Sequence, residues 1–429
     1  MKTHSTFLLN LFVALLFVLI NPLYAISICA VLNFMNNRIN FLLFSIMFAS
    51  SFGLFYFLRN WSFGYDAIAF LKSYQVADSH SFTDIFYRFV QNPSGNEPLW
   101  TIYLWLSRNI IGNHVDFFAF FHLFIMFLLT AYLGKVVDQK RFVVVIACIL
   151  FVSTGFLSTF YEIWRHIFAL LLFFIGIFLL EADRHRRLAR GLMYSSALFH
   201  VVAIPLVAVY EFFTLCNKIN ARSQRNKRFQ TIQRYSIQIV AYAILASVMF
   251  KWAEGVGTGI FPLQFSAYQG YQRNIGVEES GYAFLFNPLT AALIVYFWFN
   301  RKQISKNDVF IGINYFLLIG ASITIDIASI AIGRAFYFFL VGASILCGKL
   351  VLKDVKLGVF LSDTIRIKDV KLGFLYLVTI ILFMFYSYIK HGGGNLSMLV
   401  GENFLNPAYG LVGMILNYGE FLVPPSAVL

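Results

Sequence analysis

Apolar residues run along this chain in long blocks, interrupted by short polar stretches. Blocks at 7–33, 41–58, 115–134, 142–158, 165–181, 236–251, 283–299, 309–328, 335–348 and 373–389 stand out. Several come near the ~20 residues that a helix needs to cross the hydrocarbon core of a bilayer. So many separate blocks must each satisfy their backbone amides internally, which calls for helices rather than a barrel. The pattern predicts an all-α, polytopic helical membrane protein of roughly 10–12 transmembrane segments. These form a single transmembrane domain across 1–429.

Two stretches need separate treatment. "PLWTIYLWLSRNIIG" (98–112) is short for a span and is expected to be half-inserted or to lie in the interface. "GLMYSSALFHVVAIPLVAVYEFFTL" (191–215) is long enough to cross once, yet basic stretches flank both its ends. If both flanks lie on one side, the segment enters and returns as two short helices. The break then falls near His200, with Pro205 opening the second helix. At the N-terminus, "MKTHSTFLLNLFVALLFVLINPLYA" continues as apolar chain through "ISICAVLNF", and "LYA" is a poor small-x-small cleavage site. A retained membrane anchor is expected there, and Asn21-Pro22 offers a place for it to bend.

Composition sharpens this picture. Only 12% of residues are charged, against roughly a quarter in soluble globular domains. The net charge of +13 invites a nucleic-acid reading, but the positions of the charges argue against it. Basic residues gather in short stretches at block ends: 182–190, 217–234, 300–307 and 349–371. That is the distribution of cytoplasmic loops under the positive-inside rule, with attraction to anionic headgroups as a by-product. Three polar stretches, 59–97, 252–282 and 390–410, are poor in Lys and Arg and rich in aromatics, Gly and Asn, as expected of periplasmic loops. Placing 59–97 outside requires either an outside N-terminus or a bend at Asn21-Pro22.

Cys29, Cys148, Cys216 and Cys347 lie scattered in or beside apolar blocks and read as small buried hydrophobes. No metal site and no cofactor is expected: no Cys/His cluster, no DxD and no glycine-rich phosphate loop in a strand–helix setting occurs. The repeat of "KDVKLG" at 353–358 and 368–373 sits in the last basic loop and carries no chemistry.

Candidate chemistry begins with "STFYEIWRHIFALLLFF". Here Glu162, Arg165 and His166 stand at the mouth of an apolar block that ends at the inner loop 182–190, hence at its outer end. Charges within a membrane are costly, ~2.5–3.5 kcal/mol each on insertion scales. Other ionisable residues fall on the same predicted face: Arg59 and Asp66 in "LRNWSFGYD", Glu97 in "GNEPLW", His200 at the hairpin tip, Arg273 in "YQGYQRN", and Arg334 at the start of its block. Tyr409, in "NPAY", joins them from the last outer loop.

These residues carry a family resemblance. Arg165-His166-Ile167-Phe168-Ala169, approached by Tyr161-Glu162-Ile163-Trp164, resembles the RQxxA signature of the EpsG-like polysaccharide polymerases, a branch of the Wzy-type O-antigen polymerases. Arg59 with Gly64-Tyr65-Asp66, then Glu97-Pro98-Leu99, Phe199-His200, Gly333-Arg334 with Tyr337, and Asn406-Pro407 with Tyr409 follow in the family's order. The likeness covers roughly 59 to 409, with His166 standing where the family commonly has Gln. It implies a GT-C-like helical enzyme on the periplasmic face of the bacterial inner membrane. By that resemblance the enzyme joins undecaprenyl-pyrophosphate-linked oligosaccharide repeat units, alongside membrane lipid and, by family analogy, a chain-length regulator.

Such a transfer needs a base for the acceptor hydroxyl and cations for the leaving pyrophosphate. Arginine, planar and always charged, suits phosphate; Arg165, Arg273 and Arg334 are the expected clamp, with Arg59 a fourth. His200, Asp66 and Glu97 compete for the base, and Asp66 and Glu97 are equally suited to hold acceptor hydroxyls or pair with the arginines. Trp61, Tyr65, Trp100, Trp164, Tyr268 and Tyr271 suit either sugar stacking or an interfacial belt. A lipid-oligosaccharide flippase is the competing class, but it calls for mid-span charges, and Asp326 is the main one here. An O-antigen ligase would share the outer-face arginine and histidine chemistry.

Overall fold

Asn21-Pro22 divides the first apolar block. Proline lacks the amide that would continue the helix and disfavours helical backbone before it. Asn21, fully buried, accepts the Leu23 amide on its Oδ1 at 3.0 Å. In the computed structural model the block is therefore two helices, α1 (Lys2–Leu19) and α2 (Pro22–Met35). Asn10 of α1 accepts the amide of Asn40 at 2.8 Å. Asn33 of α2 donates to the Lys140 carbonyl at 3.0 Å and accepts the Val143 amide at 3.1 Å. Asn10 of α1 and the end of α2 thus lie toward the same end of the bundle. The apolar block 7–33 bends at Asn21-Pro22, one of the two arrangements its sequence allows.

The structure describes residues 2–35, 38–55, 65–77, 83–84, 87, 97–151, 161, 163–200, 203–222, 293–294, 296–297, 304–324, 330–352, 372–391 and 411–416. Every regular element among them is helical. After the first hairpin come α3 (Phe41–Phe55), α4 (Tyr65–Gln75), α5 (Pro98–Ile111), α6 (Val115–Val137), α7 (Phe142–Phe151) and α8 (Trp164–Glu181). Then follow α9 (Arg186–Phe199), α10 (Ala203–Arg222), α11 (Lys306–Thr324), α12 (Ile330–Val351), α13 (Leu372–His391) and α14 (Leu411–Leu416). Helix α4 lies inside the stretch 59–97 that was expected as a loop. The span expected at 236–251 and the loop 252–282 lie outside the described residues.

By length and composition α6 and α8 are apolar enough to cross a membrane, and shorter apolar segments surround them. Helix α8 is buried from Ile167 to Leu179 on every side, which marks it as the centre of the bundle. Its partner α9 packs antiparallel through a tight turn in which Asp183 and His185 adopt positive φ of 53° and 45°. The backbones come so close that a Cβ on Gly176 would lie 2.7 Å from the Ala189 carbonyl oxygen and 2.9 Å from the Met193 nitrogen. Only glycine fits there.

The segment after α9 breaks where the residue pattern places the break: His200 is extended (φ −154°, ψ 125°) and α10 restarts at Ala203. Helix α9 begins earlier than expected, at Arg186, so the basic loop 182–190 shrinks to the turn before it. Pro205 falls in the first turn of α10 rather than at its first position.

Polar contacts sort to two ends. At one, Arg141 donates to the Leu352 carbonyl at 3.4 Å, and Lys349 meets Asp308 at 2.6 Å and Glu181 at 3.9 Å. Asn307 donates to Glu181 at 3.1 Å and accepts the Tyr210 hydroxyl at 3.0 Å. Phenylalanines fill the middle, as in the series Phe17, Phe44, Phe48, Phe52 and Phe127 with ring centroids 5.0–6.5 Å apart. At the opposite end stand Glu97, Arg165 and His200.

Candidate functional site

Pro98 at the first position of α5 has no amide to satisfy, which makes it a natural helix opener. Glu97 precedes it, gives its carbonyl to the Thr101 amide at 2.9 Å, and does not use its side chain to cap the helix. The carboxylate turns instead to two other segments. Its Oε2 accepts Nη1 of Arg165 at 2.5 Å, from the first turn of α8. Its Oε1 accepts Nδ1 of His200 at 3.1 Å, from the break between α9 and α10. Glu97 is 3% exposed, His200 5% and Arg165 22% by side chain. The three converge from positions 68 and 103 residues apart in the chain.

Burial pushes the Glu97 carboxyl up, but the hydrogen bond from His200 and the Arg165 charge outweigh it, holding the group below its ordinary value. Glu97 is thus ionised at neutral pH. An ionised carboxylate only accepts, so Nδ1 of His200 carries the proton, and in the neutral ring Nε2 holds the lone pair. A carboxylate that fixes one imidazole nitrogen and leaves the other basic is the arrangement that orients a general base.

The surroundings are aromatic. The Arg165 guanidinium lies 5.0 Å from the Phe70 ring centroid, within reach of cation–π attraction. Phe70 belongs to α4 and packs on Trp100 and Trp164 at 5.4 and 6.0 Å. The His166 ring meets His200 edge-on at 5.2 Å and 76°.

Of the residues singled out from sequence, the structure brings together Arg165, Glu97 and His200, with His166 beside them. Asp66 stands in the first turn of α4, one turn before Phe70. Arg334 is in the first turns of α12, 15 positions before Lys349, about 22 Å toward the site's end at 1.5 Å per residue. Arg59, Arg273 and Tyr409 lie outside the described residues, as do Trp61, Tyr268 and Tyr271. Trp100 and Trp164 are buried, at 4% and 0% exposure, so they form neither an interfacial belt nor an open sugar platform. Among the described residues, no three His, Cys, Asp or Glu side chains converge as metal ligands.

Sequence reasoning passed over Phe70 and a buried pair beneath the site. Tyr103 Oη lies 2.9 Å from His122 Nδ1, and His122 is fully enclosed in α6. The available signal was a single histidine inside "FFAFFHLFIMF".

Comparison with protein families matches residues 58–400 to the EpsG family. No curated protein and no solved structure matches the chain.

Proposed function

The chain belongs to the EpsG family, and from that premise we propose that it is a polysaccharide polymerase of the Wzy type. It joins undecaprenyl-pyrophosphate-linked oligosaccharide units on the periplasmic face of the bacterial inner membrane. Family membership supports the polymerase class and a membrane protein. The convergence of Arg165, Glu97 and His200, at the end opposite the turn 182–185 and Lys349, carries the assignment of the site.

In the proposed reaction a hydroxyl of the acceptor sugar attacks the anomeric carbon of the donor chain. The new glycosidic C–O bond forms as the bond from that carbon to the pyrophosphate oxygen breaks. The hydroxyl proton passes to Nε2 of His200, and the electron pair leaves on undecaprenyl pyrophosphate. Glu97 orients the imidazole and balances the imidazolium. It is an orienting carboxylate rather than the base, because both its oxygens already accept from cationic or N–H donors. Arg165, with Nη1 on Glu97, directs its remaining N–H groups at the leaving group, joined by Arg273, Arg334 and Arg59. Preorganised cations of this kind supply a large share of catalytic power. Asp66 and Tyr409 hold the glycan. Orientation follows the basic stretches, which face the cytoplasm. A chain-length regulator is the expected protein partner.

The test is the glycan ladder of a deletion strain complemented with Arg165→Ala, His200→Gln or Arg334→Ala. Single repeats without long chains are expected, with each variant still in the membrane. Normal ladders in all three would refute the polymerase. Loss of all surface polymer would point to a ligase, and repeat units stranded on the cytoplasmic side to a flippase.

A further inference from the structure

Beneath the three site residues lies a polar pair that the reaction does not use. His122 is fully buried in α6, with Nδ1 2.9 Å from the hydroxyl of Tyr103 in α5. Its ring packs on Trp164 at 4.8 Å, Trp100 at 5.5 Å and Phe168 at 5.8 Å. Tyr103 adds contacts to Trp100 at 5.6 Å, Phe168 at 5.7 Å and Phe199 at 6.5 Å. Three of these neighbours sit beside the site residues in the chain. Trp164 directly precedes Arg165, Phe199 directly precedes His200, and Trp100 lies in the first turn after Glu97.

A core this aromatic gains nothing in packing from such a pair. Exchanging both partners of a buried hydrogen bond for apolar groups of similar shape is close to neutral in stability, whereas removing one leaves the other unsatisfied. What the pair adds is direction: a hydrogen bond fixes the rotation of two rings that dispersion alone would leave free to slide. It also ties α5 to α6 at the level where α8 and the α9–α10 break present their side chains.

We propose that Tyr103 and His122 are positioning residues, whose hydrogen bond holds the aromatic block on which Glu97, Arg165 and His200 are mounted. This rests on the reaction proposed above. The pair touches no substrate; it keeps the carboxylate between guanidinium and imidazole at 2.5 and 3.1 Å. Displacements of about 1 Å in such groups cost up to ~100-fold in rate.

The experiment uses purified full-length protein in nanodiscs and, as substrate, the lipid-linked oligosaccharide pool extracted from the deletion strain. Tyr103→Phe removes one oxygen, and the double variant Tyr103→Phe/His122→Phe makes both partners apolar. Both are expected to lower kcat by about 10- to 100-fold with KM within about twofold of wild type, and the double variant to keep the wild-type unfolding midpoint. Wild-type kcat in Tyr103→Phe would overturn the proposal. So would a kcat that falls only in step with thermal stability, or a double variant as stable and as active as wild type. If Tyr103→Phe proves too unstable to assay, the double variant decides. Arg165→Ala and His200→Gln run alongside. If they turn over normally, the reaction scheme itself is at fault; if they are dead while the Tyr103 variants are normal, only the positioning role fails.

Discussion

Glu97 holds two donors at once, and its worth depends on remaining charged. Breaking a buried ion pair from one side costs about 3–5 kcal/mol, because the partner is left uncompensated. Arg165 keeps some contact with water, so the lower part of that range applies. Glu97→Gln preserves volume while removing the charge and the demand that His200 protonate on Nδ1. Loss of long-chain product together with a destabilisation of about 3 kcal/mol is expected, read from ladders and unfolding midpoints. The pH behaviour follows from the depressed carboxyl. A group whose folded pKa lies below its ordinary 4.5 contributes stability above that value and loses it as pH falls through the folded one. The unfolding midpoint of wild type is expected to hold between pH 8 and 5 by this contribution and to fall below about 4.5, a drop that Glu97→Gln abolishes. A midpoint in the Gln variant that falls as steeply as wild type over that range counts against the pair. At this scale the sequence was informative where charge is improbable: Glu97, Arg165 and His200 are conspicuous in greasy surroundings. Phe70 and Tyr103 were illegible, since nothing in a chain with 51 phenylalanines and 23 tyrosines distinguishes the rings that matter.

Among elements, three hairpins carry the geometry. The α9–α10 break was readable because basic stretches flank a segment too short for two full crossings, and because a polar residue at the tip costs least there. The α1–α2 break was marked by Asn21-Pro22, yet apolar residues on both sides made a straight span an equally good fit to the pattern. The α8–α9 hairpin depends on Gly176, where backbone atoms of Ala189 and Met193 stand 2.7 and 2.9 Å from any added Cβ. Main-chain atoms cannot rotate away as side chains do. Gly176→Ala is therefore expected to cost about 1–3 kcal/mol and to separate α8 from α9. Because α8 carries Arg165 at one end and α9 leads into His200, activity should fall beyond what the lost stability explains. Purified Gly176→Ala protein with wild-type melting and ladders would show that the helices have more room than the backbone distances allow.

Among the described residues, the main cluster of basic helix ends and the candidate site lie at opposite ends of the bundle. Lys135, Lys140, Arg141, Arg184, Arg186, Arg187, Lys306 and Lys349 sit at helix ends that meet through the contacts of Asn33, Arg141, Asp308 and Glu181. In the proposed topology, cysteines introduced at 187 and 306 react with a membrane-impermeant thiol reagent only from the cytoplasmic side of inverted vesicles. A cysteine at 165 is expected to react only from the other. Labelling of 165 and 306 from one compartment would dissolve the two-ended scheme. The segregation itself was visible in the distribution of Lys and Arg, but which helices would pack together was not, because their apolar faces are nearly uniform and encode no partner.

One dimension of the fold has a chemical consequence of its own. Helix α9 is 14 residues long and lifts its terminal histidine only about 21 Å from the basic end, against ~30 Å of hydrocarbon. In the proposed enzyme the nucleophile is therefore activated in a sunken basin, where bulk solvent is scarce and a sugar hydroxyl competes against few rivals. An activated glycan arriving there is spent on elongation instead of hydrolysis, so a shorter or longer α9 would alter the yield of polymer per donor consumed before it altered anything else.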